Sequence, residues 1–422
     1  MIVRDAKTDV LIAGGGPAGA STAFYLARRG VRVMVVDRAR FPRSKPCAEC
    51  LSPQTSRLLD DMGALTELEP QGAWLRGMIV RAPNGAAARG DYAATHGFRA
   101  WRDAGLSIRR EILDDVLIAR ARAAGARIVE RTRVTDVLRE GTGAAHGAWL
   151  QDQDGVSRAA PASVLVGADG LRSVTARRLG LWRRARWPSR ISLVGHYEEV
   201  RGMTDYGEMH IERDGFVGIA DVGSGVTTVA AVFPDVRASE ISKDRSRFLD
   251  RWLASKPHLR SRFADARRMA PASASGPFAA HAKRAWHPGA VLVGDAADFF
   301  DPFTGEGIYS ALRGGELAAD AIMSALLHPG SATDALRDYD ARRRREFAGK
   351  WLVERIIGAG VAIPRVVNRA AKAMAARKEL ADLLVGVTGD FVAPGMVLRL
   401  GFLARLFVQP LPRTSTVHAR HA

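Results

Sequence analysis

The first forty residues carry two apolar runs that flank a helical pattern. The first run, Val10–Ala13, contains no charge, and apolar residues then recur at helical spacing from Pro17 to Arg29. Gly30 ends the helical pattern, and a second apolar run covers Val31–Val36. A strand, a helix and a second strand in this order are typical of a βαβ unit, which predicts a parallel sheet.

The next 130 residues continue with mixed helix and strand patterns. A helical pattern from Glu111 to Ala124 leads into two strand-like segments, 126–130 and 132–138. An Asp154-Gly155 turn indicates a hairpin, and Ser163–Gly167 reads as another buried strand.

The pattern then changes twice. From Ile191 to Phe233 short apolar runs are separated by glycine-containing turns, which predicts antiparallel strands inserted between parts of the first domain. From Gly305 to about Leu406 the chain reads mainly as helices. We find no internal repeat and no low-complexity linker.

Charge and composition exclude some classes of function. The 422 residues include 62 basic and 45 acidic side chains, a net charge of +17, with mean hydropathy −0.08 and 47% hydrophobic residues. These values are typical of a globular protein. The basic residues are spread along the chain, and the densest block, Arg342–Arg345, is predicted on an exposed helix. No basic module interleaved with aromatic residues occurs, so we expect no nucleic-acid partner.

Charged residues before position 10 argue against a signal peptide, and no window of 18 uncharged apolar residues predicts a membrane span. The two cysteines, Cys47 and Cys50, share one segment and form no disulfide framework, so we predict a cytoplasmic protein. Without a second cysteine pair we expect no metal site. The apolar C-terminal stretch 391–412, which contains Arg399 and Arg405, reads as a core or dimer helix or as an interfacial membrane helix, so peripheral membrane contact stays open. The oligomeric state is not predicted.

A glycine cluster follows the first predicted strand. Gly14, Gly16 and Gly19 fit the G-x-G-x-x-G pattern at the start of the helix, and Asp37 ends the second strand. Such glycines let the backbone approach a pyrophosphate, while the helix N-terminus supplies N–H donors. The acidic residue accepts hydrogen bonds from ribose hydroxyls, so this arrangement predicts dinucleotide binding.

Two later segments extend this motif. The segment 164–180 contains Asp169-Gly170, Ser173 and Arg177, and the segment from Val293 contains Gly294-Asp295, Pro302 and Gly305-x-Gly307. The three motifs together resemble the flavoprotein superfamily of p-hydroxybenzoate hydroxylase, geranylgeranyl reductases and flavin-dependent halogenases, over about residues 8–345. The resemblance implies an α/β fold: a Rossmann-like FAD-binding domain with a parallel sheet, an interleaved antiparallel substrate sheet and a helical C-terminal region.

The resemblance also implies domain boundaries and site residues. The FAD-binding domain is expected at 1–75, 101–185 and 281–345, the substrate domain at 76–100 and 186–280, and the helical region at 346–422. Asp295 is expected to bond the ribityl hydroxyls, Arg110 to lie near the ribose or pyrophosphate, and the 305–307 backbone to face the flavin ring. The residues expected to bind the cofactor are Gly14, Gly16, Pro17, Ala18, Gly19, Asp37, Arg38, Lys45, Cys47, Arg110, Asp169, Gly170, Gly294, Asp295, Pro302, Gly305, Glu306, Gly307 and Ile308.

The side chains that carry chemistry have alternative interpretations. Cys47 is a redox thiol or, as we favour, a wall of the flavin site, and Lys45 meets the cofactor phosphates or solvent. Asp298 and Glu306 are candidates for proton transfer, with helix N-capping as the alternative. The histidines of the substrate region that touch substrate or serve the structure are His196, His210 and His281.

The resemblance favours an NAD(P)H-dependent monooxygenase that hydroxylates or epoxidises a hydrophobic or aromatic small molecule with O₂, through a flavin C4a-hydroperoxide, in secondary metabolism. One alternative is a reductase of C=C bonds in an isoprenoid or polyene. The segment Ser44–Pro53 resembles a loop of those reductases, with Ala48 in place of glycine, but Asp214–Gly225 lacks their aromatic-rich segment. The other alternative is a halogenase, although the W-x-W-x-I-P signature of the tryptophan halogenases is absent.

Overall fold

The computed structural model describes residues 8–139, 141, 143–184, 189–278, 280–299, 303, 305 and 307–411. The strands are β1 Val10–Ala13, β2 Val33–Val36, β3 Cys50–Leu51, β4 Ala73–Leu75, β5 Gly77–Arg81, β6 Ala87–Asp91, β7 Gly105–Ser107, β8 Arg127–Val129, β9 Arg133–Arg139, β10 Ala145–Gln151, β11 Ser157–Pro161, β12 Val164–Gly167, β13 Trp182–Arg184, β14 Arg190–Glu198, β15 Gly207–Glu212, β16 Gly215–Asp221, β17 Val226–Pro234, β18 Arg267–Arg268, β19 Ser273–Ser275, β20 Ala280–Ala282, β21 Trp286–His287, β22 Ala290–Leu292 and β23 Asp298–Phe299. The α-helices are α1 Pro17–Ala27, α2 Pro53–Asp61, α3 Leu65–Leu68, α4 Arg110–Ala123, α5 Val174–Arg178, α6 Ala238–Lys243, α7 Arg245–Ser255, α8 Pro257–Arg260, α9 Gly307–Leu327, α10 Ala332–Val361, α11 Pro364–Ala376, α12 Lys378–Thr388 and α13 Leu400–Phe407.

The predicted βαβ unit lies at the centre of a six-stranded sheet with the order β21-β22-β12-β1-β2-β8. The pairs from β22 to β8 are parallel, and β21 is antiparallel to β22. All residues of β1 and β12 are buried, as their charge-free sequences predict. The expected parallel sheet is confirmed, and α1 ends two residues earlier than the sequence pattern indicated.

The second large sheet has the order β18-β14-β17-β16-β15-β5-β6, and β19 also pairs with β14. Antiparallel pairing, predicted from 191 to 233, joins β14 to β17, β17 to β16 and β16 to β15. The pair of β15 and β5 is parallel instead. Since β5 enters this sheet from an earlier part of the chain, no hairpin turn fixes its direction against β15.

The two faces of this sheet have different neighbours because strand side chains alternate. In β16, Val217 and Ile219 pack in a core with Phe248 and Trp252 of α7. Phe216 and Gly218 point to the opposite side, where a cleft separates the sheet from the FAD-binding part of the chain. The alternation therefore gives the sheet one core face and one face that lines a site.

The C-terminal helices α10–α13 cover the β5–β6 end of the second sheet. Ala88 and Tyr92 pack with Leu380 and Leu383 of α12 in a separate apolar core. Within the described part of the chain, none of the helices is both long and apolar enough to span a membrane. The helical C-terminal region is confirmed.

A buried polar cluster lies on β15, outside the cleft walls. The Glu208 carboxylate accepts hydrogen bonds from His210 Nε2 at 2.7 Å and from Arg262 NH1 and NH2 at 2.6 and 2.8 Å. The His258 ring stacks on His210 with centroids 5.1 Å apart. Burial alone would raise the pKa of Glu208, but the bonds from His210 and Arg262 outweigh it and lower the pKa from 4.5 to about 2.

We predict that this carboxylate makes the fold sensitive to acid. Because its pKa is lower in the folded chain, Glu208 contributes stability that is fully present above about pH 4.5 and is lost as the pH falls towards 2. The variant Glu208→Gln should lower the free energy of unfolding at pH 7 by about 2–3 kcal/mol. Denaturant unfolding of both proteins measures the difference, which should narrow below about pH 4.5.

A matched control is Glu198→Gln, which changes a half-exposed carboxylate on the neighbouring strand β14. Its effect at pH 7 should be below about 1 kcal/mol. A Glu208→Gln difference that stays constant from pH 7 down to pH 4 and below would contradict the assignment.

Candidate functional site

The turn between β1 and α1 is built by close backbone contacts. Gly14 has a φ of +101°, and a Cβ there would lie 2.3 Å from the Ala168 carbonyl oxygen. A Cβ at Gly19 would lie 1.8 Å from the Gly14 carbonyl oxygen. Only glycine fits either position, so α1 starts directly at the carboxyl ends of β1 and β12. This is the point where the strand order reverses, which is where doubly wound sheets bind ligands.

Asp37 holds the turn from behind. Its carboxylate accepts hydrogen bonds from Gly15 N and Ala39 N, each at 2.8 Å. One lone pair on each oxygen remains for a ribose hydroxyl, so that expected role stays a prediction. Arg43, which the motifs did not single out, lies 3.8 Å from Asp37 and 3.1 Å from Asp114. It places a positive charge beside Gly16, where a Cβ would lie 3.5 Å from its guanidinium.

A cleft of about 220 Å³ begins at this turn and ends at the N-terminus of α9. The FAD-binding motifs form one side of it, and the β14–β17 face forms the other. The predicted cofactor residues that line the cleft are Gly16, Pro17, Ala18, Lys45, Cys47, Arg110, Gly170, Gly294, Asp295, Gly305, Gly307 and Ile308.

Lys45 and Asp295 face each other in the cleft. Lys45 Nζ lies 3.7 Å from Asp295 Oδ2, and a Cβ at Gly170 would lie 3.8 Å from the same Nζ. The three conserved-looking motif segments of the sequence analysis thus meet around one ammonium group. A cation and an acceptor at this point suit a phosphate and a hydroxylated chain, respectively.

Glu49 ties the loop 44–53 to both sides of the cleft. The residue is 2% exposed and has a φ of 63°. Its Oε1 accepts a hydrogen bond from Arg110 N, the first residue of α4, at 2.8 Å, and its Oε2 lies 2.7 Å from His196 Nε2 on β14. Sequence reasoning missed this role, although Glu49 belongs to the loop whose resemblance to reductases was noted.

The two cysteines have different surroundings. Cys47 lines the cleft, and its Sγ accepts a weak hydrogen bond from Glu49 N at 3.4 Å. Burial raises the pKa of the Cys50 thiol to about 12, so Cys50 stays protonated at neutral pH. Both thiols are free. In the described residues no group of three or more potential metal ligands comes together.

Asp298 is buried against Arg343, which also lies 3.3 Å from Asp340. Burial raises the pKa of Asp298, and Arg343 opposes this increase. The helix-capping alternative for Asp298 is wrong, because the residue lies in β23. The expectation of an exposed arginine block is also wrong at Arg343, which is 5% exposed. Arg343 lies four residues after Tyr339 and four before Phe347, so it shares the buried face of α10.

Several predicted residues lie away from the cleft wall. Gly14, Gly19 and Asp37 shape the turn, Arg38 is exposed, and Asp169 caps α5 through hydrogen bonds from Val174 N and Thr175 N. Of the candidate histidines, His196 bonds Glu49, His210 bonds Glu208, and His281 pairs with Asp298 between β20 and β23. Pro302 and Glu306 lie outside the described residues.

A second cavity of about 320 Å³ adjoins the cleft. Most of its lining is apolar and comes from β5, β15, β16 and the C-terminal helices. Helix α10 belongs to both spaces: Phe347 and Trp351 line the cleft, whereas Val353, Ile357 and Val361 line the cavity. The residues that line both spaces are Ala48, Cys50, Met209, Gly218 and Gly305.

The cleft fits FAD at both ends. At one end Gly16 leaves room beside the N-terminus of α1, where N–H groups and the helix dipole favour a pyrophosphate. At the other end nothing lies within 4 Å of a Cβ built at Gly305 or Gly307, so a flat ring can approach the first turn of α9. The N–H groups of that turn suit the negative charge that a reduced flavin ring carries.

Comparison with known proteins agrees with this geometry. Residues 7–354 match the family described as FAD binding domain. The chain is 27% identical over 406 residues to the menaquinone reductase of Mycolicibacterium smegmatis, covering 92% of each chain. It is 28% identical over 354 residues to a digeranylgeranylglycerophospholipid reductase of Methanoculleus marisnigri, covering 82% of this chain and 83% of that one.

Another relative is conditioned medium factor receptor 1 of Dictyostelium discoideum, at 27% identity over 349 residues, with 78% of this chain and 66% of that protein covered. Among solved structures, the myxobacterial chondrochloren halogenase CndH superposes with a TM-score of 0.76 at 25% identity, covering 83% of this chain and 82% of the other. These matches confirm the resemblance seen in the motifs. The chain therefore belongs to the FAD-binding family of flavin-dependent oxidoreductases.

Proposed function

We propose that this protein is a FAD-dependent reductase of C=C bonds in a long apolar substrate of the isoprenoid class. The apolar cavity beyond the flavin cleft carries this proposal. A compact aromatic substrate needs only the space beside the ring, whereas this chain adds a further 320 Å³ of mostly apolar space.

The cavity suits a flexible hydrocarbon chain. Aliphatic side chains from three helices and from the sheet line it, including Val353, Ile357, Val367, Leu384 and Leu403. A buried methylene group contributes about 0.8 kcal/mol when it leaves water, so a chain of several isoprene units gains most of its binding free energy there.

The passage between cavity and cleft is narrow and made of small residues. Gly218 on β16 and Ala48 in the loop 44–53 line both spaces. A Cβ built at Gly218 would lie 3.7 Å from its nearest neighbour, the Met209 methyl group. A double bond that passes this point reaches the flavin cleft while the rest of the chain stays in the cavity.

The residues of the cleft would position the reactants and exclude water. Lys45 would bind the cofactor phosphates, Asp295 the ribityl hydroxyls, and the first turn of α9 the pyrimidine edge of the ring. Phe216, Val232 and Met209 form an apolar wall opposite the ring site, which keeps water from the reacting bond.

FAD supplies two-electron transfer when bound. In the overall reaction a reduced nicotinamide is oxidised and the C=C bond is reduced; one hydrogen reaches carbon as hydride and the other as a proton from water. The names of the two reductase relatives, each matched over more than 80% of this chain, support this assignment.

A NAD(P)H-dependent monooxygenase that acts on a hydrophobic small molecule is the second candidate. The observation that favours it is the turn after β16, since the segment 214–225 lacks the aromatic residues of the reductases. A dry, apolar cleft also serves oxygen transfer, so the reaction under air and under nitrogen separates the two functions.

We predict that Gly16→Val prevents FAD binding without unfolding the chain. The nearest atom to a Cβ at Gly16 is 3.5 Å away, so the side chain fits but occupies the cleft beside the α1 N-terminus. FAD affinity, measured by titration of the flavin-free protein, should fall at least tenfold, while the thermal unfolding midpoint of that protein stays near that of the wild type. Gly330→Val, in an open turn far from the cleft, is the matched control and should bind FAD normally. Equal affinities would contradict the cofactor placement.

We predict that the FAD-loaded protein, given reduced nicotinamide and geranylgeraniol under nitrogen, adds one pair of hydrogens per reduced double bond. Mass spectrometry of the product measures the change. The variant Gly218→Val should raise the KM for this substrate by roughly tenfold, because its side chain narrows the passage to the cavity.

The same variant should leave the KM for a short branched alkene nearly unchanged, and Gly330→Val should change neither value. A product that gains an oxygen atom, formed in air and absent under nitrogen, would overturn the reductase in favour of the monooxygenase.

A further inference from the structure

Large apolar side chains are exposed in one region of the surface. Seven of the thirteen well-exposed large apolar side chains of the described chain fall between residues 352 and 411, although this segment is a small part of it. Leu400 is 85% exposed and Val408 is 79% exposed, one at each end of α13. The seven residues, which we call the apolar patch, are Leu352, Ile356, Ile363, Leu400, Phe407, Val408 and Leu411.

The apolar patch surrounds an opening of the cavity. Ile356 of α10 is 49% exposed and Phe407 of α13 is 39% exposed, yet both also line the cavity. A side chain that faces both water and a cavity marks the place where that cavity reaches the surface. The opening therefore lies between α10 and α13, away from the flavin cleft.

The opposite face of α13 fixes this arrangement. Phe402 and Leu406 are buried in the core between the C-terminal helices. Arg369 and Arg377 of α11 donate hydrogen bonds to the carbonyl oxygens of Phe407 and Arg405, respectively. Helix α13 is thus held firmly, and its apolar outer face is a property of the folded chain.

Positive charge accompanies the apolar patch. Arg365 follows Ile363, Lys372 lies two turns further along α11, and Arg399 precedes Leu400; all three are exposed. In the part of the chain that the structure describes, none of the three forms an ion pair with a carboxylate. Exposed apolar side chains beside unneutralised basic ones are typical of surfaces that bind anionic membranes.

We propose that the apolar patch docks the protein on an anionic lipid bilayer, so that the cavity opens directly into the acyl region. The charge favours this occupant over a second copy of the chain, since two such surfaces would bring like charges together. Docking of this kind goes beyond the proposed reaction and would operate for either candidate function, because it concerns how an apolar substrate reaches the cavity.

Flotation with vesicles tests this proposal on the full-length FAD-loaded protein. The protein should float with phosphatidylcholine vesicles that contain phosphatidylglycerol, and at least tenfold less with pure phosphatidylcholine. The double variant Leu400→Asp/Val408→Asp should reduce binding to the anionic vesicles at least tenfold. Arg365→Glu/Arg399→Glu should have a similar effect that grows weaker in high salt.

The matched controls are Val236→Asp, which changes an apolar side chain 84% exposed on the far side of the second sheet, and Arg245→Glu on α7. Both should bind vesicles like the wild type. A wild-type protein that does not float, or variants that float unchanged, would overturn the proposal.

Two other occupants give distinct outcomes. If the patch joins two copies, light scattering should show a dimer that Leu400→Asp/Val408→Asp dissociates, without vesicle binding by the wild type. If the last eleven residues bind the membrane instead, a chain that ends at Leu411 should lose vesicle binding. Either result would overturn the proposal, whereas a shortened chain that floats like the wild type supports it. None of these readouts requires turnover, so failure of docking and failure of the proposed reaction are distinguishable.

Discussion

The buried carboxylate of Glu49 sets the geometry on which the site depends. It accepts a hydrogen bond from the start of α4 on the FAD-binding side and bonds His196 on the substrate sheet. A carboxylate with 2% exposure needs such partners, because burying an unpaired charge is costly. The loop 44–53, which carries Lys45 and Cys47 into the cleft, is therefore held between the two parts of the chain. The width of the cleft follows from these contacts.

From this fixed spacing, strand alternation and one long helix create the rest of the site. The β14–β17 face that does not pack on α7 becomes the apolar wall of the cleft. Helix α10 carries Arg343 and Phe347 beside the cleft and Val353 and Ile357 beside the cavity. The flavin site and the substrate space therefore share walls, and a chain threaded through the second space can present its bonds to the first.

The sequence predicted what depends on local chemistry. The glycines of the β1–α1 turn, the helix stop at Gly30 and the buried strands are encoded by residues close together in the chain, so pattern and spacing identify them. The contacts of Glu49 with His196 and of Asp298 with Arg343 join residues 147 and 45 positions apart. Such pairs depend on the fold as a whole. Arg343 was nevertheless within reach, since helical spacing puts it on the same face as Tyr339 and Phe347. The parallel pairing of β5 with β15 and the opening of the cavity at α13 had no local signal.

The central claim is that cleft and cavity form one site, joined at Gly218, for a long apolar substrate. The most direct measurement is a crystal structure of the FAD-loaded protein with a polyprenyl alcohol bound. The account predicts a double bond of the substrate beside the ring, with the chain passing Gly218 and lying along Val353 and Ile357 towards Phe407. A substrate chain that leaves the flavin cleft by another route, with the cavity behind Gly218 empty, would contradict it.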